Sequence, residues 1–514
     1  MDTRHAERSD PKNALYLVLD QGGDGSRATV YDRHGQLISL TRQSVSTQRP
    51  RPHYVEQDPS ELVKSLRTCI NRVIKTLSYQ QLQRLCCWGL VCQRSSLIGW
   101  DRSNGQPLTP VISWQDTRAE WPDRWHRSQL ETIRQRSGLY PSLHHGATKM
   151  RWCVDHIETV AQAVADQRLV LTPLASYLAI ALTSSAAGDH PLPSLPSRQA
   201  LQFNNLYIDE SSAQRTLLWN SQQRQWDDEL RDIFGIDQQW LPPLQPCLAD
   251  WGTLHIKPQL SLPGRFVGGD QGCAHLGSGA SQPGTVKVNL GTGGFISLAT
   301  QHSTQPPEGL LLSLVSSDHS RQQWMLEGTI NGVGSALAWL RQFETTLNQH
   351  CTSTTHHQQT SLHQAPGMFI NSVSGLGSPF WRNDIEPYFI GSHSAEQRYS
   401  AVIESILFLI QIHIERLEQA GYPIQQLELS GGVSQTPGLA QHLATLTGKA
   451  VQQQLHSEMT ASGLAYLLAG QPSQWPTTDI SHYQPASNPL LQQRYIDWCQ
   501  LLQQQLGAGQ SATG

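Results

Sequence analysis

Twice along this chain an apolar run breaks at a cluster of glycines and resumes as a second short apolar run. The first instance is Leu15–Leu19, then Asp20-Gln21-Gly22-Gly23-Asp24-Gly25-Ser26-Arg27, then Ala28–Tyr31. The second is Thr285–Leu290, then Gly291-Thr292-Gly293-Gly294, then Phe295–Ala299. Short apolar runs bounded by turn residues predict buried strands. Glycine in the connection lets backbone N–H groups approach another molecule closely. Two such units, each followed by helical patterns, predict a duplicated α/β architecture with a ligand in the cleft between its halves. The single-sheet nucleotide folds do not fit: there is no G-x-x-x-x-G-K-[ST], and no G-x-G-x-x-G opens a helix after the first strand.

The rest of the chain fills in around these units. A third strand is predicted at Gln36–Leu40, after the turn Asp32-Arg33-His34-Gly35. Ser60 to Leu77 has helical apolar spacing, with Asp58 as cap and Pro59 in the first turn. Cys86–Val91 reads as a strand, and Thr148–His156 and Leu174–Leu182 as helices. Ala186 to Ser197, rich in Pro, Ser and Gly, reads as a loop. Pro242 to Pro263 holds five prolines and little periodicity, and the domain boundary is expected there. Beyond it come a helix at Val333–Phe343, a polar loop at His350–His363 and a long helix from about Ala395 to Gln419. In that helix Val402, Ile406, Ile410, Ile414 and Leu417 repeat at three- and four-residue steps, and Gly421 and Pro423 stop it. A strand at Gln426–Leu429 leads into Gly431-Gly432. The expected layout is a frayed tail (1–13), a first domain (14–255), a second domain (256–470) and a Gln-rich extension (471–514) with a short helix at Leu490–Leu506.

Composition excludes several classes. At 514 residues the chain should hold more than one domain. A net charge of −4 without a basic run argues against nucleic acid as partner. No apolar stretch approaches a membrane span, since Ile403–Ile414 is broken by Glu404, Gln411 and His413. The polar, mixed-charge N-terminus does not read as a signal peptide. Nine scattered cysteines, with no C-x-x-C, fit thiols in a reducing cytoplasm better than disulfides or zinc. The adjacent pairs His144-His145 and His356-His357 lack partner spacing for a metal site.

The chemistry-bearing residues sit at strand ends. Asp20, ending the first strand beside a glycine turn, suits a metal ion held against phosphate. Asp24 places a second negative charge in the same turn. Asp270, in Gly269-Asp270-Gln271 after the strand Phe266–Gly268, offers either a helix N-cap or a carboxylate that can take a proton from a hydroxyl.

In register, nine motifs resemble the FGGY carbohydrate kinases, the glycerol kinases in particular, over roughly positions 14 to 470. They are Asp20-Gln21-Gly22…Ser26-Arg27-Ala28, Val55-Glu56-Gln57-Asp58-Pro59, Gln93-Arg94, Trp114-Gln115-Asp116, Ala147-Thr148-Lys149…Trp152, Gly269-Asp270-Gln271, Gly291-Thr292-Gly293, Gly375-Leu376-Gly377-Ser378-Pro379-Phe380-Trp381 and Gly431-Gly432. The resemblance implies two actin-like (ribonuclease H-like) domains closing over ATP and a polyol or sugar. It implies Asp270 as catalytic base and Asp20 with Asp270 at Mg²⁺. It further implies Gln93, Arg94, Ser95, His144, Gln271 and Phe295 around the acceptor. On the nucleotide side it implies Gly22, Gly23, Asp24, Gly25, Arg27, Gly291, Thr292, Gly334, Gly432 and Thr436. A homo-oligomer is an expectation of the same kind.

Several positions depart from the pattern of the glycerol kinases. Ser95 replaces a substrate-binding Glu and His144 a substrate-contacting Tyr, which suits a larger or differently spaced polyol or sugar. Ser430 and Thr436 replace an Asp and an Asn on the adenine side. Gly23, Asp24 and Gly25 replace two threonines and a serine whose hydroxyls donate to phosphates. At ~4 Å from a phosphate charge an ionised Asp24 costs ~1–4 kcal/mol. It must turn outward, pair with a cation such as Arg27, or share the metal. The expected function is therefore ATP-dependent phosphorylation of a polyol or sugar hydroxyl. The alternative is a ligand-binding regulatory protein that has lost turnover, motivated by the altered phosphate loop.

Overall fold

The computed structural model describes residues 13–119, 126–184, 206–301, 305–348, 367–391, 394–455, 458–476 and 480–508. The tail before Asn13 and the expected loops at 186–197 and 350–363 lie outside the described residues.

The chain builds two large sheets on one design. The first contains β1 (Leu15–Gln21), β2 (Gly25–Asp32), β3 (Leu37–Ser44), β4 (Leu85–Cys92), β5 (Thr253–Lys257) and β6 (Leu260–Gly269), in the order β5-β6-β4-β1-β2-β3. The second contains β7 (Thr285–Leu290), β8 (Gly294–Thr300), β9 (Leu311–Ser317), β10 (Gln322–Ile330), β11 (Gln426–Ser430), β12 (Ala450–Gln454) and β13 (Ile480–Tyr483), in the order β9-β10-β8-β7-β11-β12-β13. In each, a glycine-turn hairpin (β1–β2, β7–β8) is antiparallel, and its first strand continues into two parallel neighbours (β4 and β6, β11 and β12). An antiparallel edge strand closes each sheet on that side. The duplication read from the two glycine turns is thus a repeat of topology.

β1 is buried along its whole length because both its faces are covered. That is why it reads as an unbroken apolar run rather than an alternating one. The helix α1 (Pro59–Thr76) covers one side, with Leu62, Leu66 and Ile70 meeting Leu15, Leu17 and Leu19. It starts where the sequence predicts, with the Asp58 carboxylate accepting from the N–H groups of Ser60 (2.7 Å) and Glu61 (3.3 Å). The sites below also involve α2 (Gly146–His156), α3 (Leu174–Thr183), α4 (Asp270–His275), α5 (Gly334–Asn348), α6 (Ala395–Gln419), α7 (Leu439–Thr447), α8 (Met459–Leu468) and α9 (Pro489–Ala508). The five apolar residues spaced along α6 are all buried, in the core beneath β7 and β11.

Sheet membership adds detail at the two ends of the second domain. Within the proline-rich stretch at 242–263, β5 and the start of β6 belong to the first sheet, and β6 carries the chain to Gly269. The first sheet therefore ends between Gly269 and Thr285, later than the boundary expected at 255. Pro258 and Pro263 sit in a turn and in a strand bordering the sheet's edge hairpin, where proline is tolerated. The Gln-rich extension after 470 packs on the second domain. β13 forms the edge of the second sheet, and Leu491, Tyr495, Trp498 and Leu502 of α9 are buried in the second core. Moreover α8, which follows the second-sheet strand β12, packs on β1 and β4 of the first sheet, so the two domains are interlocked.

Candidate active site

Asp20, Arg94 and Asp270 are brought together by strand direction. β1, β4 and β6 are parallel neighbours, with Asp20 and Gly268 both in register with Val91. Asp20 near the end of β1, Arg94 just beyond β4 and Asp270 just beyond β6 therefore share the carboxyl edge of the sheet, where α/β folds place ligands. Asp20 is 3% exposed, and its Oδ2 accepts from Arg27 Nη1 at 2.7 Å. Burial raises its pKa, while Arg27 opposes that. Asp270 is the first residue of α4, and its Oδ1 accepts the Gln271 N–H at 2.8 Å. Its carboxyl is pushed up to about 6 by burial, an effect that Arg94 offsets and the nearby Asp20 reinforces. Asp270 is not the helix cap: Gly269 takes that position and Asp270 is the first residue of α4.

Arg94 was expected to offer its fork to an acceptor. Instead Nη1 and Nη2 both donate to Glu327, each at 2.8 Å, across 233 residues of chain. Its Nε lies 3.8 Å from Asp270 Oδ1, and its guanidinium sits 6.0 Å from the Phe295 ring. Arg215 donates to the same Glu327 (2.8 Å) and to Ser313 Oγ (2.6 Å). Burial alone would raise the Glu327 carboxyl, but Arg215 and Arg94 outweigh it and hold it well below its ordinary value. Gln271, Phe295 and Glu327 line one cavity. Glu327 and Arg215 escape a reading of the sequence because neither belongs to a motif: Glu327 is a lone charge in β10, and Arg215 follows a short polar helical turn.

The loops that carry Ser95 and His144 are held by Lys149. Its side chain is fully buried on α2, and Nζ donates to the carbonyls of Ser95 (3.0 Å), Ser113 (3.1 Å) and His144 (2.9 Å). Ser95 has a positive φ of 63°, which turns its carbonyl toward that ammonium. His144 is half-buried, with Nδ1 on the Trp114 carbonyl at 3.1 Å. Its neighbour His145 is buried, its Nδ1 has no hydrogen-bond partner among the described residues, and burial and then Arg215 keep it neutral.

Gln93 stands apart from this group. Its Nε2 donates to Gln57 Oε1 (2.7 Å), and Gln57 Nε2 donates to the Gly23 carbonyl (2.8 Å). Gln93 thus braces the glycine turn. In that turn the Gly22 N–H donates to the Gly25 carbonyl at 3.0 Å. Asp24 is exposed at the tip, and its backbone carbonyl accepts from Val45. Of the three placements open to Asp24, the structure shows the outward one, and Arg27 pairs with Asp20 instead.

The second sheet offers a matching edge. β7 and β11 are parallel, with Asn289 in register with Ser430, so Gly291-Thr292 and Gly431-Gly432 follow side by side. Gly334 opens α5 against the first of these turns: its N–H donates to the Gly291 carbonyl and that of Ser335 to the Thr292 carbonyl, both at 3.0 Å. A Cβ on Gly334 would lie 2.7 Å from the Gly291 oxygen, so only glycine permits this approach. Gly431 has φ 93°, and a Cβ there would meet the Leu290 carbonyl at 2.5 Å. Gly432 is exposed and faces open space, while Thr436 ends the short 3₁₀ turn that follows. Among the described residues no cluster of three or more His, Cys, Asp or Glu could enclose a metal ion, and none is a helix able to cross a membrane.

Comparison with known proteins gives the same architecture. The model of the FGGY family of carbohydrate kinases matches in both parts, the N-terminal domain at residues 15–261 and the C-terminal domain at 286–470. A glycerol kinase of Pseudothermotoga lettingae is 30% identical over 462 residues, covering 88% of each chain. One from Thermococcus onnurineus is 28% identical over 459 residues, again 88% of each. Among solved structures, the glycerol kinase of Plasmodium falciparum with ADP superposes with a TM-score of 0.78 at 21% identity, over 96% of this chain and 98% of that one. With two sheets of one topology and both family domains matched in order, this chain belongs to the FGGY family of carbohydrate kinases, phosphotransferases that use an alcohol group as acceptor.

Proposed function

We propose that the protein transfers the terminal phosphoryl group of ATP to a hydroxyl of a polyol or sugar, with Asp270 as the base. The observation that carries this reading is Asp270 itself: a carboxylate at the sheet edge, facing Asp20, with its pKa at about 6. A base near the working pH both accepts a proton and releases it again. Asp270 orients the acceptor hydroxyl and takes its proton as the bond to phosphorus forms. Arg94, locked on Glu327, keeps its Nε beside that carboxylate and favours its ionised form.

The donor set suits Mg²⁺, which prefers one or two carboxylates with water and phosphate oxygens over a closed protein cage. Asp20, with Asp270 facing it, would hold the ion, whose chemistry is to offset charge on the phosphates. The turns at Gly22–Gly25 and Gly291-Thr292 present backbone to the phosphates, and Gly334, Gly432 and Thr436 frame the nucleoside side. Asp24 turned to solvent removes the charge conflict in the first turn. Relatives named glycerol kinase support a polyol acceptor. Ser95 and His144, where the glycerol kinases carry Glu and Tyr, favour an acceptor larger than glycerol or with differently spaced hydroxyls.

The test is turnover of ATP with Mg²⁺ across a panel from glycerol through four-, five- and six-carbon polyols and sugars. The expected result is a higher kcat/KM for a longer acceptor than for glycerol. Absence of turnover with every acceptor, together with no thermal shift on adding ATP, would sink the kinase reading.

A further inference from the structure

The amino ends of β1, β4 and β6 lie on the edge opposite Asp20, Arg94 and Asp270. They border a cavity of ≈ 670 Å³ whose lining includes Tyr16, Arg33, Cys86, Cys87, Arg265 and Leu468. Two adjacent cysteines in a regular strand would point to opposite faces of the sheet. Here they do not. Leu15 pairs with Leu85 and Tyr16 with Cys87, so Cys86 is the extra residue of a β-bulge. A bulge re-aims the side chain it carries, and the two sulfurs stand 3.7 Å apart. Cys86 is half-buried and Cys87 is 6% exposed, both on the cavity wall. The hydrogen bond with Cys87 draws the Cys86 pKa below its ordinary value against the effect of burial, and Arg265 adds to the lowering. Cys87 is held well above its ordinary value. The pair thus places a half-buried thiol against a buried one on one cavity wall, the geometry of an attacking and a resolving cysteine. The other described cysteines are buried, apart from half-buried Cys499, and none forms a disulfide.

We propose that Cys86 and Cys87 form a dithiol modification site which a hydroperoxide entering this cavity converts to a vicinal disulfide. The Cys86 thiolate attacks the peroxide O–O bond, giving a sulfenic acid and releasing an alcohol, or water from hydrogen peroxide. Cys87 sulfur then attacks the Cys86 sulfur, and the hydroxyl leaves as water with the Cys87 proton. Two electrons pass from the two thiols to one peroxide, so no further reductant or oxidant is needed. The last turn of α8 lines the same cavity, and α8 is the helix that carries the second domain onto the first sheet. The site therefore lies where the domains join. It is roughly 20 Å along the strand from Arg94, so its chemistry does not depend on which acceptor is phosphorylated.

The test uses the full reduced chain and phenylarsine oxide, which bridges two touching thiols with loss of water, followed by peptide mass spectrometry. The expected result is one arsenical on the peptide that holds Cys86 and Cys87, resistant to a monothiol and released by a dithiol. Prior treatment with stoichiometric hydrogen peroxide should abolish that adduct and leave the peptide lighter by two hydrogens. C86S and C87S should each lose both products. The proposal is overturned by an adduct mapped elsewhere, by equal labelling of either single variant, or by oxidation that stops at sulfinic acid on Cys86. Mapping on the unsubstituted chain stands even if a variant fails to fold.

Discussion

Asp270 carries a carboxylate where folding alone would favour a neutral group. Its pKa rises from 3.8 to about 6, so the folded state holds a proton that the unfolded state has lost. Stability from this residue is present below pH 3.8, falls between 3.8 and about 6, and stays reduced above. Asp270→Asn should therefore lower kcat by about 10²–10⁴-fold while stabilising the fold by about 1–3 kcal/mol near pH 8. Thermal melts should show that gain vanish near pH 4 (about the unfolded carboxyl's value), and a gain that is independent of pH would contradict the assignment. The wild-type kcat/KM should rise with pH through a midpoint near 6. Lys149 is the second residue with a consequence of its own. Three carbonyl acceptors need all three N–H groups of an ammonium, yet burial draws its pKa down to about 7. Above that pH one loop contact is lost. Lys149→Met should raise the acceptor KM by roughly tenfold or more with ATP affinity little changed, since small displacements of positioning loops are costly. The wild-type acceptor KM should drift upward above about pH 7, and that drift should be absent from the variant. Asp20 and Asp270 are legible in the sequence because each ends an apolar run beside glycine. The role of Lys149 is not, because its partners are main-chain carbonyls that no side-chain pattern announces.

At the scale of elements, local signals carried far. Asp58-Pro59 and the apolar spacing behind it place α1 within a residue or two, and α6 begins and ends as its periodicity predicts. The hairpin of β9 and β10 was not read, although Leu311–Ser317 is buried throughout. Its Ser313, Ser316 and Ser317 interrupt the apolar run, and Glu327 interrupts the other strand; those polar residues are tolerated because they meet Arg215, Gln323 and Cys247. The helix expected at Leu490–Leu506 is α9, Pro489–Ala508, legible despite its many glutamines because a helix needs only one apolar stripe. The turn between Gly291 and α5 gives this scale its experiment. Gly334→Ala forces a Cβ to 2.7 Å from the Gly291 oxygen, so the turn must shift. A rise of roughly tenfold in KM for ATP, equivalent to about 1.4 kcal/mol, is expected with the acceptor KM unchanged. Isothermal titration with a non-hydrolysable ATP analogue would check it, and unaltered affinity would place the nucleotide away from this turn.

For the whole molecule the decisive contact is Glu327. It stands in the second sheet and holds Arg94 and Arg215 from the first half of the chain. Its carboxyl is depressed from an ordinary value of 4.5, so its contribution is present above that pH and is lost as the solution becomes more acidic. Glu327→Ala leaves two buried guanidiniums without their shared partner. The expected cost is about 3–5 kcal/mol, read by calorimetry as a melt at lower temperature in which the two domains separate into distinct transitions. A single unshifted transition would mean that the domains are joined chiefly by α8. The sequence by itself determined the repeated strand–glycine–strand units, most helices and the family, because these depend on residues near one another or on motifs in fixed order. It did not show that β6 runs to Gly269 in the first sheet or that β13 edges the second, because proline and glutamine content do not say which sheet a strand joins. Only the tertiary structure decided that Asp24 turns to solvent, that Arg94 spends its fork on Glu327, and that Lys149 ties three loops together. The last two depend on partners five to hundreds of residues away, and burial makes an unpaired charge there too costly to leave alone.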